Sequence, residues 1–426
     1  MNSYIPYHIH DDTSNCNGFM DSCTGYMDYI KLAKEQGITA LAFSNHGGIY
    51  DWVKKKQACD KAGIKYIHGI ELYLCHKLED NNRGWHIGLY AKNWEGVKEL
   101  NSLITLSTSK GILEDNSDRH FYFNPRISFD ELFNTSDNII VTTACLASAL
   151  WKLVDEYKIT VLTKEDEDIQ KMNIELRNNL LDWFSKNKHR CFLEIQYHNN
   201  LHQKLFNKIL YRWSKEYDIP LIAGTDTHSS STYKAECRKI LQISHDSYYG
   251  EEDEFDLVWK TYSELIECFK EQNVLPESIY MKAIDNTHLL ADMVEDFKLD
   301  TAFKYPTLYG DTAHKQFIDK IGIKFKEKIN RTEINKNKIQ IYRDMAKEEI
   351  NALSAQGMES FMLFMSELMT WCRENNINSS PCRGSVGGSL IAYILDITDV
   401  DPIVWNTVFS RFCNAERISL ADIDQD

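Results

Sequence analysis

Two pairs of metal-ligand side chains stand two residues apart in this chain, His8-Ile9-His10 and Asp226-Thr227-His228. A pair of carboxylates, Asp422-Ile423-Asp424, has the same spacing. On an extended segment residues i and i+2 leave the same face, so each pair presents two ligand atoms together. Between the histidine-bearing pairs lie more side chains of the same kinds: His46, Glu71, His86, Cys145 and Glu194. A mixed His, Asp and Glu set suits Zn²⁺, Mn²⁺ or Fe²⁺, and neighbouring ions can share bridging carboxylates. Such ions polarise a phosphoryl oxygen and generate hydroxide near neutral pH, which is the chemistry of phosphoester hydrolysis. Asp422 and Asp424 instead suit two Mg²⁺ ions and in-line attack at phosphorus.

The elements that must position these residues alternate between strand-like and helical patterns. Residues 26–36 and 50–62 are amphipathic and end at Gly37 and Gly63. Predicted strands cover 38–43, 64–70, 86–91, 138–143, 191–197 and 220–223. His46 and Glu71 follow the first two of these, His86 begins the third, and Cys145 follows the fourth. Glu194 lies within the fifth, and Asp226 and His228 follow the last. Repeated βα units make a parallel sheet or a barrel, whose C-terminal strand ends converge on one mouth. Taken singly, His68 and His76 read as structural or exposed, and Cys145 as a buried thiol.

From about residue 285 the pattern changes to longer helices, at 286–297 and across 341–375 with an interruption near Gly357. A turn-rich stretch, 376–388, then leads into the apolar run 389–395. Within it, Arg383-Gly384-Ser385-Val386-Gly387-Gly388-Ser389 has glycines that let the backbone approach a phosphate, and hydroxyls and a guanidinium that can donate to it.

A chain of 426 residues with 43% apolar residues and nine Trp is long enough for two or three folded domains. No apolar run approaches the roughly 20 residues of a membrane span, and the polar N-terminus lacks a signal-peptide core. Eleven Cys without a C-x-x-C pair read as reduced thiols, which sets the expectation of a cytoplasmic protein. The formal charge of −15 is awkward for a protein that grips nucleic acid alone. The locally basic run of Lys315, Lys320, Lys324, Lys326, Lys328, Arg331, Lys336 and Lys338 reads as a solvated helix face.

The order of the motifs resembles that of a known family. His8-Ile9-His10, Ser44-Asn45-His46, Gly69-Ile70-Glu71, His86-Ile87-Gly88-Leu89, Ala144-Cys145-Leu146 and Asp226-Thr227-His228 are similar to the PHP (polymerase and histidinol phosphatase) domain of bacterial DNA polymerase III alpha subunits. Cys382-Arg383-Gly384-Ser385, Ser389-Leu390-Ile391-Ala392-Tyr393, Ile397-Thr398-Asp399-Val400-Asp401-Pro402, Arg411-Phe412-Cys413-Asn414-Ala415-Glu416-Arg417-Ile418-Ser419 and Asp422-Ile423-Asp424 resemble the palm of the same C-family polymerases. The resemblance implies an α/β chain: a PHP-type distorted (β/α) barrel in 1–285, followed by an incomplete α+β polymerase palm in 286–426.

By the same resemblance His8, His10, His46, Glu71, His86, Cys145, Asp226 and His228 would hold up to three ions, Zn²⁺ or Mn²⁺. Arg383, Gly384, Ser385 and Ser389 would contact the incoming triphosphate or shape its pocket. Asp422 and Asp424 would be two of three catalytic carboxylates on Mg²⁺. Asn17 and Asn45 stand where the family usually has aspartates, so one metal subsite is expected to be loose or empty. Cys382 and Ala421 replace the usual Gly and Pro, and both changes are expected to be tolerated. The family's third catalytic aspartate lies beyond residue 426, so this N-terminal portion is expected to need a complementing C-terminal part before it polymerises. Primer-template DNA, dNTPs and replisome components are then the partners, and no membrane. A second reading is a stand-alone PHP metallohydrolase, a phosphoesterase or 3′–5′ exonuclease; a third is a catalytically silent scaffold.

Overall fold

The computed structural model describes residues 3–18, 20–154, 164–247, 255–302, 307–414 and 422–424. Contacts divide the chain into two units, Met1–Leu299 and Asp300–Asp426.

Among the described residues the first unit has eight strands: β1 (Ala40–Phe43), β2 (Lys65–Cys75), β3 (Trp85–Ala91), β4 (Phe121–Tyr122), β5 (Asn124–Ser128), β6 (Ile139–Thr142), β7 (Cys191–Gln196) and β8 (Leu221–Gly224). Their order is β4-β5-β2-β3-β6-β7-β8, with β1 also on β2. Strands β1, β6, β7 and β8 are wholly buried, which is why β1, β6 and β8 read as mostly apolar runs, while β7 also carries Glu194 and Gln196. The N-terminal segment joins the two free edges. On one side Thr227 N donates to His8 O and His10 N to Thr227 O; on the other Ala42 N donates to Pro6 O and Ser44 N to Ile9 O. These bonds round the sheet into a distorted barrel.

The barrel is mixed in direction, where the βα pattern alone suggested parallel strands. Strand β3 runs antiparallel to both β2 and β6. The cause is local: β2 and β3 are joined by a short excursion at 76–84 with no helix, which makes a hairpin. The reversal carries His86, at the start of β3, to the same mouth as the C-terminal ends of β1, β2, β6 and β8.

Helices cover the outside. The helix expected at 286–297 spans Glu277–Asp292, entered through Pro276, and buries Tyr280, Ala283, Ile284, Leu290 and Ala291. Residue 285 thus lies inside a helix of the first unit. Val294 and Phe297 also belong to that unit's core, which moves the boundary to Leu299.

The second unit packs helices Ala313–Asn330, Ile339–Ala355 and Glu359–Glu374 around the short helix Leu390–Ile394. Its core includes Phe317, Tyr342, Leu353, Met362, Val386 and Leu395. Of the expected α+β mixture, the described residues of this unit show helices and one isolated antiparallel bridge, Arg383 with Asp424. Part of the basic run is spent on internal ion pairs. Lys324 and Lys328 meet Asp396 at 2.9 and 2.8 Å, Lys328 also meets Glu333 at 3.0 Å, and Lys320 meets Glu367 at 3.8 Å. Lys328 is buried, so part of this face is packed and not solvated.

Candidate metal centre and polymerase-motif residues

His8 and His10 project from the segment that closes the barrel, and their rings lie with centroids 5.3 Å apart. Glu71, on β2, stands between the histidines. Its Oε1 is 3.0 Å from His86 Nδ1 and 3.7 Å from His8 Nε2; its Oε2 is 3.0 Å from His46 Nδ1 and 3.6 Å from His10 Nε2. Asp226 follows β8 with a left-handed backbone (φ 47°), a costly conformation for a non-glycine residue, which turns its carboxylate inward. Asp226 Oδ1 lies 3.2 Å from Nε2 of both His8 and His10. His228 stacks on His10 at 4.3 Å and donates through Nδ1 to the Asp226 carbonyl at 2.7 Å, which leaves its Nε2 for the site. Cys145 Sγ is 3.4 Å from His86 Nδ1.

Sequence reasoning missed Asp21. Its buried carboxylate has Oδ1 3.0 Å from His228 Nε2, and Oδ2 3.5 Å from His46 Nε2 and 3.7 Å from His10 Nδ1. The site is therefore not short of a carboxylate where Asn17 stands; the side chain of Asn17 lies outside the described residues. The available signal was an Asp four residues further along the same loop, just ahead of the helix at Tyr26.

Asn45, the second departure, is occupied elsewhere. It accepts from Asp11 N at 2.9 Å and donates to Asp11 Oδ1 at 2.9 Å and Thr13 Oγ1 at 2.7 Å. The Asp11 carboxylate in turn pairs with buried Lys55 at 2.7 Å. His68 is likewise structural, set between Tyr66 and Asn101, with burial pulling its pKa down to about 4.

Glu194 stands behind His8, a candidate ligand. His8 Nδ1 donates to its Oε1 at 2.6 Å, and Gln196 Nε2 donates to the same oxygen at 2.9 Å. Gly224, on neighbouring β8, makes this possible, since a Cβ there would sit 1.9 Å from Glu194 Oε1.

The electrostatics are those of a site designed around positive charge. Burial works against the charged form of every group, yet Glu194 and Asp226 hold the His8 pKa well above its usual value. Burial and the facing His228 and His46 pull His10 down to about 3, so its ring is neutral with a free lone pair. Glu71 and Asp226 are pressed upward by burial but held well below the usual carboxylate range by the surrounding histidines. Glu71 Oε1 and Oε2, His8 Nε2, His10 Nε2, Asp21 Oδ2 and His228 Nε2 are all buried without a hydrogen-bond partner. Leaving so many converging polar atoms unsatisfied is costly, and bound divalent cations would satisfy them. Among the described residues the candidate ligand atoms form three overlapping groups: His8, His10 and Asp226; His46, Glu71 and His86; and His10, Asp21, His46 and His228. Seven of the eight residues expected at the metals fall in these groups, and Cys145 stands beside the second.

In the second unit, Gly384 opens the glycine turn at φ 75°, where a Cβ would approach Asp424 Oδ2 to 3.0 Å. Arg383 and Gly384 are exposed and Ser385 is half-buried, so all three are accessible. Ser389 is not: it is fully buried, donates to Glu349 Oε2 at 2.9 Å and accepts from Ala392 N. Of the roles expected for Ser389, shaping the turn fits this position and direct contact with a triphosphate does not. Glu349 also accepts from Leu390 N and Ile391 N, both at 2.9 Å, so a carboxylate of the protein already caps this helix. Asp422 is exposed; Ala415 to Ala421, in the motif before it, lie outside the described residues.

The sequence matches the PHP domain model over residues 6–198 and the bacterial DNA polymerase III alpha NTPase domain model over residues 316–426. DNA polymerase III subunit alpha of Borreliella burgdorferi is 30% identical over 446 aligned positions, covering 99% of this chain and 35% of the relative. Along nearly its whole length the chain is similar to DNA polymerase III alpha subunits. It spans about a third of the length of the curated relatives it matches; the alpha subunit of Aquifex aeolicus, 27% identical across 99% of this chain, is covered over 36% of its length. Among solved structures, an amidohydrolase from Chromobacterium violaceum aligns with 53% of this chain and 88% of its own at 12% identity and a TM-score of 0.30. Read as a polymerase III alpha region, the first unit carries the PHP motifs and the second the residues before and around Asp422 and Asp424. No helix among the described residues is long and apolar enough to cross a membrane.

Proposed function

We propose that this chain contributes the PHP domain and two palm aspartates, Asp422 and Asp424, to template-directed DNA synthesis by a replicative polymerase III alpha subunit. The observation that carries the reading is the alignment of alpha subunits along 99% of the chain. The bridge between Arg383 and Asp424 supports it, since it sets the second carboxylate beside the accessible glycine turn. In this reading Arg383, Gly384 and Ser385 contact the triphosphate, and Ser389 keeps the turn in shape through Glu349. Asp422 and Asp424 hold Mg²⁺. Residues 1–426 then depend on a complementing C-terminal polymerase part, with primer-template DNA, dNTPs and replisome components as further partners. A primer-extension assay tests this: residues 1–426 with Mg²⁺ and dNTPs leave the primer unextended, and a C-terminal polymerase part supplied in trans restores extension. Robust incorporation by the chain alone overturns it.

The three overlapping ligand groups favour a second activity, metal-dependent phosphoester hydrolysis at the PHP site, on DNA 3′ ends or small phosphates. His8, His10, His46, Glu71, His86, Asp226 and His228 would hold Zn²⁺ or Mn²⁺, with Cys145 adjoining. Bound ions would supply Lewis acidity and a hydroxide at neutral pH. The chain's own part is to hold imidazoles and ionised carboxylates in place in a buried site, with Glu194 fixing the His8 ring. Hydrolysis that disappears in His8→Ala and Asp226→Ala supports this activity; hydrolysis unchanged in both rules out this site.

A further inference from the structure

We infer that Arg238 is a positioning residue that holds Asp21 as a metal ligand, so that one ion subsite depends on the helix Thr232–Ser244 as well as on the barrel. The inference rests on the metal-binding reading of the PHP site and adds a determinant outside the ligand set.

Asp21 does not sit on a strand. It lies on the loop that leaves the barrel after Asp11, passes through a 3₁₀ turn at Asp12–Gly18 and returns at Thr24, where Asp12 N donates to Thr24 O. A loop by itself holds a ligand poorly, because precise placement needs neighbours that lock backbone and rotamer together. Two residues do this for Asp21. From within the loop, Asn15 Oδ1 accepts from Asp21 N at 2.6 Å and from Ser22 N at 2.9 Å, and its Nδ2 donates to Ser22 O. From outside, the buried guanidinium of Arg238 donates through Nε to the Asp21 carbonyl at 2.5 Å and reaches Asp21 Oδ1 through Nη2 at 3.4 Å.

The fork therefore grips the main chain and the side chain of one residue. With Oδ1 turned toward Arg238 and His228, Oδ2 is left buried, without a hydrogen-bond partner, and directed at His46 and His10. The helix bearing Arg238 starts just beyond His228. Ser22 Oγ donates to the His228 carbonyl, and Lys234 Nζ to the Cys23 carbonyl. Arg238 thus ties Asp21 to His228, two members of the group His10, Asp21, His46 and His228. A lysine, as a point charge on a flexible stem, reproduces one of these bonds but not the fork.

The test is metal uptake by the full 426-residue chain, read without any assay of turnover. Wild type, Asp21→Asn, Arg238→Met and Arg238→Lys are stripped with chelator, titrated with Zn²⁺ and with Mn²⁺, and analysed for ions bound per chain and for affinity against a chelating dye. Outer partners of metal ligands are typically worth 10- to 100-fold in affinity. Asp21→Asn and Arg238→Met are expected to lose one class of site by that factor, with the remaining sites unchanged and Arg238→Lys intermediate. Thermal melts of the stripped proteins separate this from general damage: an Arg238→Met chain that melts earlier but titrates like wild type overturns the inference, as does an Asp21→Asn chain that titrates like wild type. Should Arg238→Met not fold, Arg238→Lys decides by the same criterion. Wild type that takes up neither ion overturns the metal-binding reading itself, and this inference with it.

Discussion

His8 and Glu194 form a buried pair in which the imidazole Nδ1 donates to a carboxylate oxygen at 2.6 Å, leaving Nε2 aimed at Asp226. That single bond selects the tautomer and the ring orientation of a candidate ligand. Glu194→Gln keeps the shape but removes the charge that makes the ring a strong donor of its lone pair. Zn²⁺ affinity is expected to fall 10- to 100-fold, with the fold retained by circular dichroism. Unchanged affinity in a chelator competition shows that the pair does not tune the metal.

Metal removal should cost stability. The atoms of Glu71, Asp21, His8 and His10 without hydrogen-bond partners leave the stripped site with buried polar groups that the protein does not satisfy. Adding Zn²⁺ or Mn²⁺ at about a thousand times its dissociation constant stabilises a binding-competent fold by ~4 kcal/mol. The unfolding midpoint of the first unit is therefore expected to rise on titration, and His10→Ala should blunt the rise. A midpoint indifferent to either ion contradicts the site.

Asn45 offers a test of the opposite kind. Its amide donates to Asp11 Oδ1 and Thr13 Oγ1, so Asn45→Asp replaces a donor by a second carboxylate against Asp11. Restoring the residue more usual in the family is thus expected to destabilise this chain by about 1–3 kcal/mol, the cost of an unsatisfied buried polar group, and to add no metal. Urea unfolding and bound-metal analysis of the variant check both halves.

Glu349 carries a pH dependence with a definite sign. Burial pushes its pKa from 4.5 up to about 7, although Leu390 N, Ile391 N and Ser389 Oγ all donate to it. Between those values the unfolded chain releases a proton that the folded chain keeps. Stability of the second unit is therefore highest below pH 4.5 on this account, falls as pH rises toward 7, and is flat above. The span is about 3 kcal/mol at 1.4 kcal/mol per pH unit. Denaturation profiles between pH 5 and 8 should show this slope in wild type and lose it in Glu349→Gln, whatever the absolute stability of the variant. A slope that persists in the variant assigns the effect to another group.

How much was legible beforehand differs from residue to residue. His8, His10, Asp226 and His228 were readable because an i, i+2 pair on an extended segment is a local property, and the strands flanking them are short buried runs. His86 was readable as a ligand type at a strand start, but its place at the mouth required β3 to run backwards, which no periodicity reports. Asp21 was passed over because its role comes from Arg238 and His228, more than two hundred positions away in the chain. Ser389 shows the reverse case: a hydroxyl in a glycine-rich turn resembles a phosphate contact until Glu349 is seen to occupy it.

By itself, then, the sequence determined the inventory: which ligand types the chain carries, in what order, on which kinds of element, and so which family it resembles. Residue type, spacing and apolar runs are all encoded within a few neighbouring positions. Only the tertiary structure decided the assignments, namely which carboxylate faces which histidine, which loop Asp supplies Oδ2, and which Ser is buried under a Glu. Those depend on strand direction, barrel closure through His10 and Thr227, and long-range pairs whose energies arise only when distant segments are desolvated together.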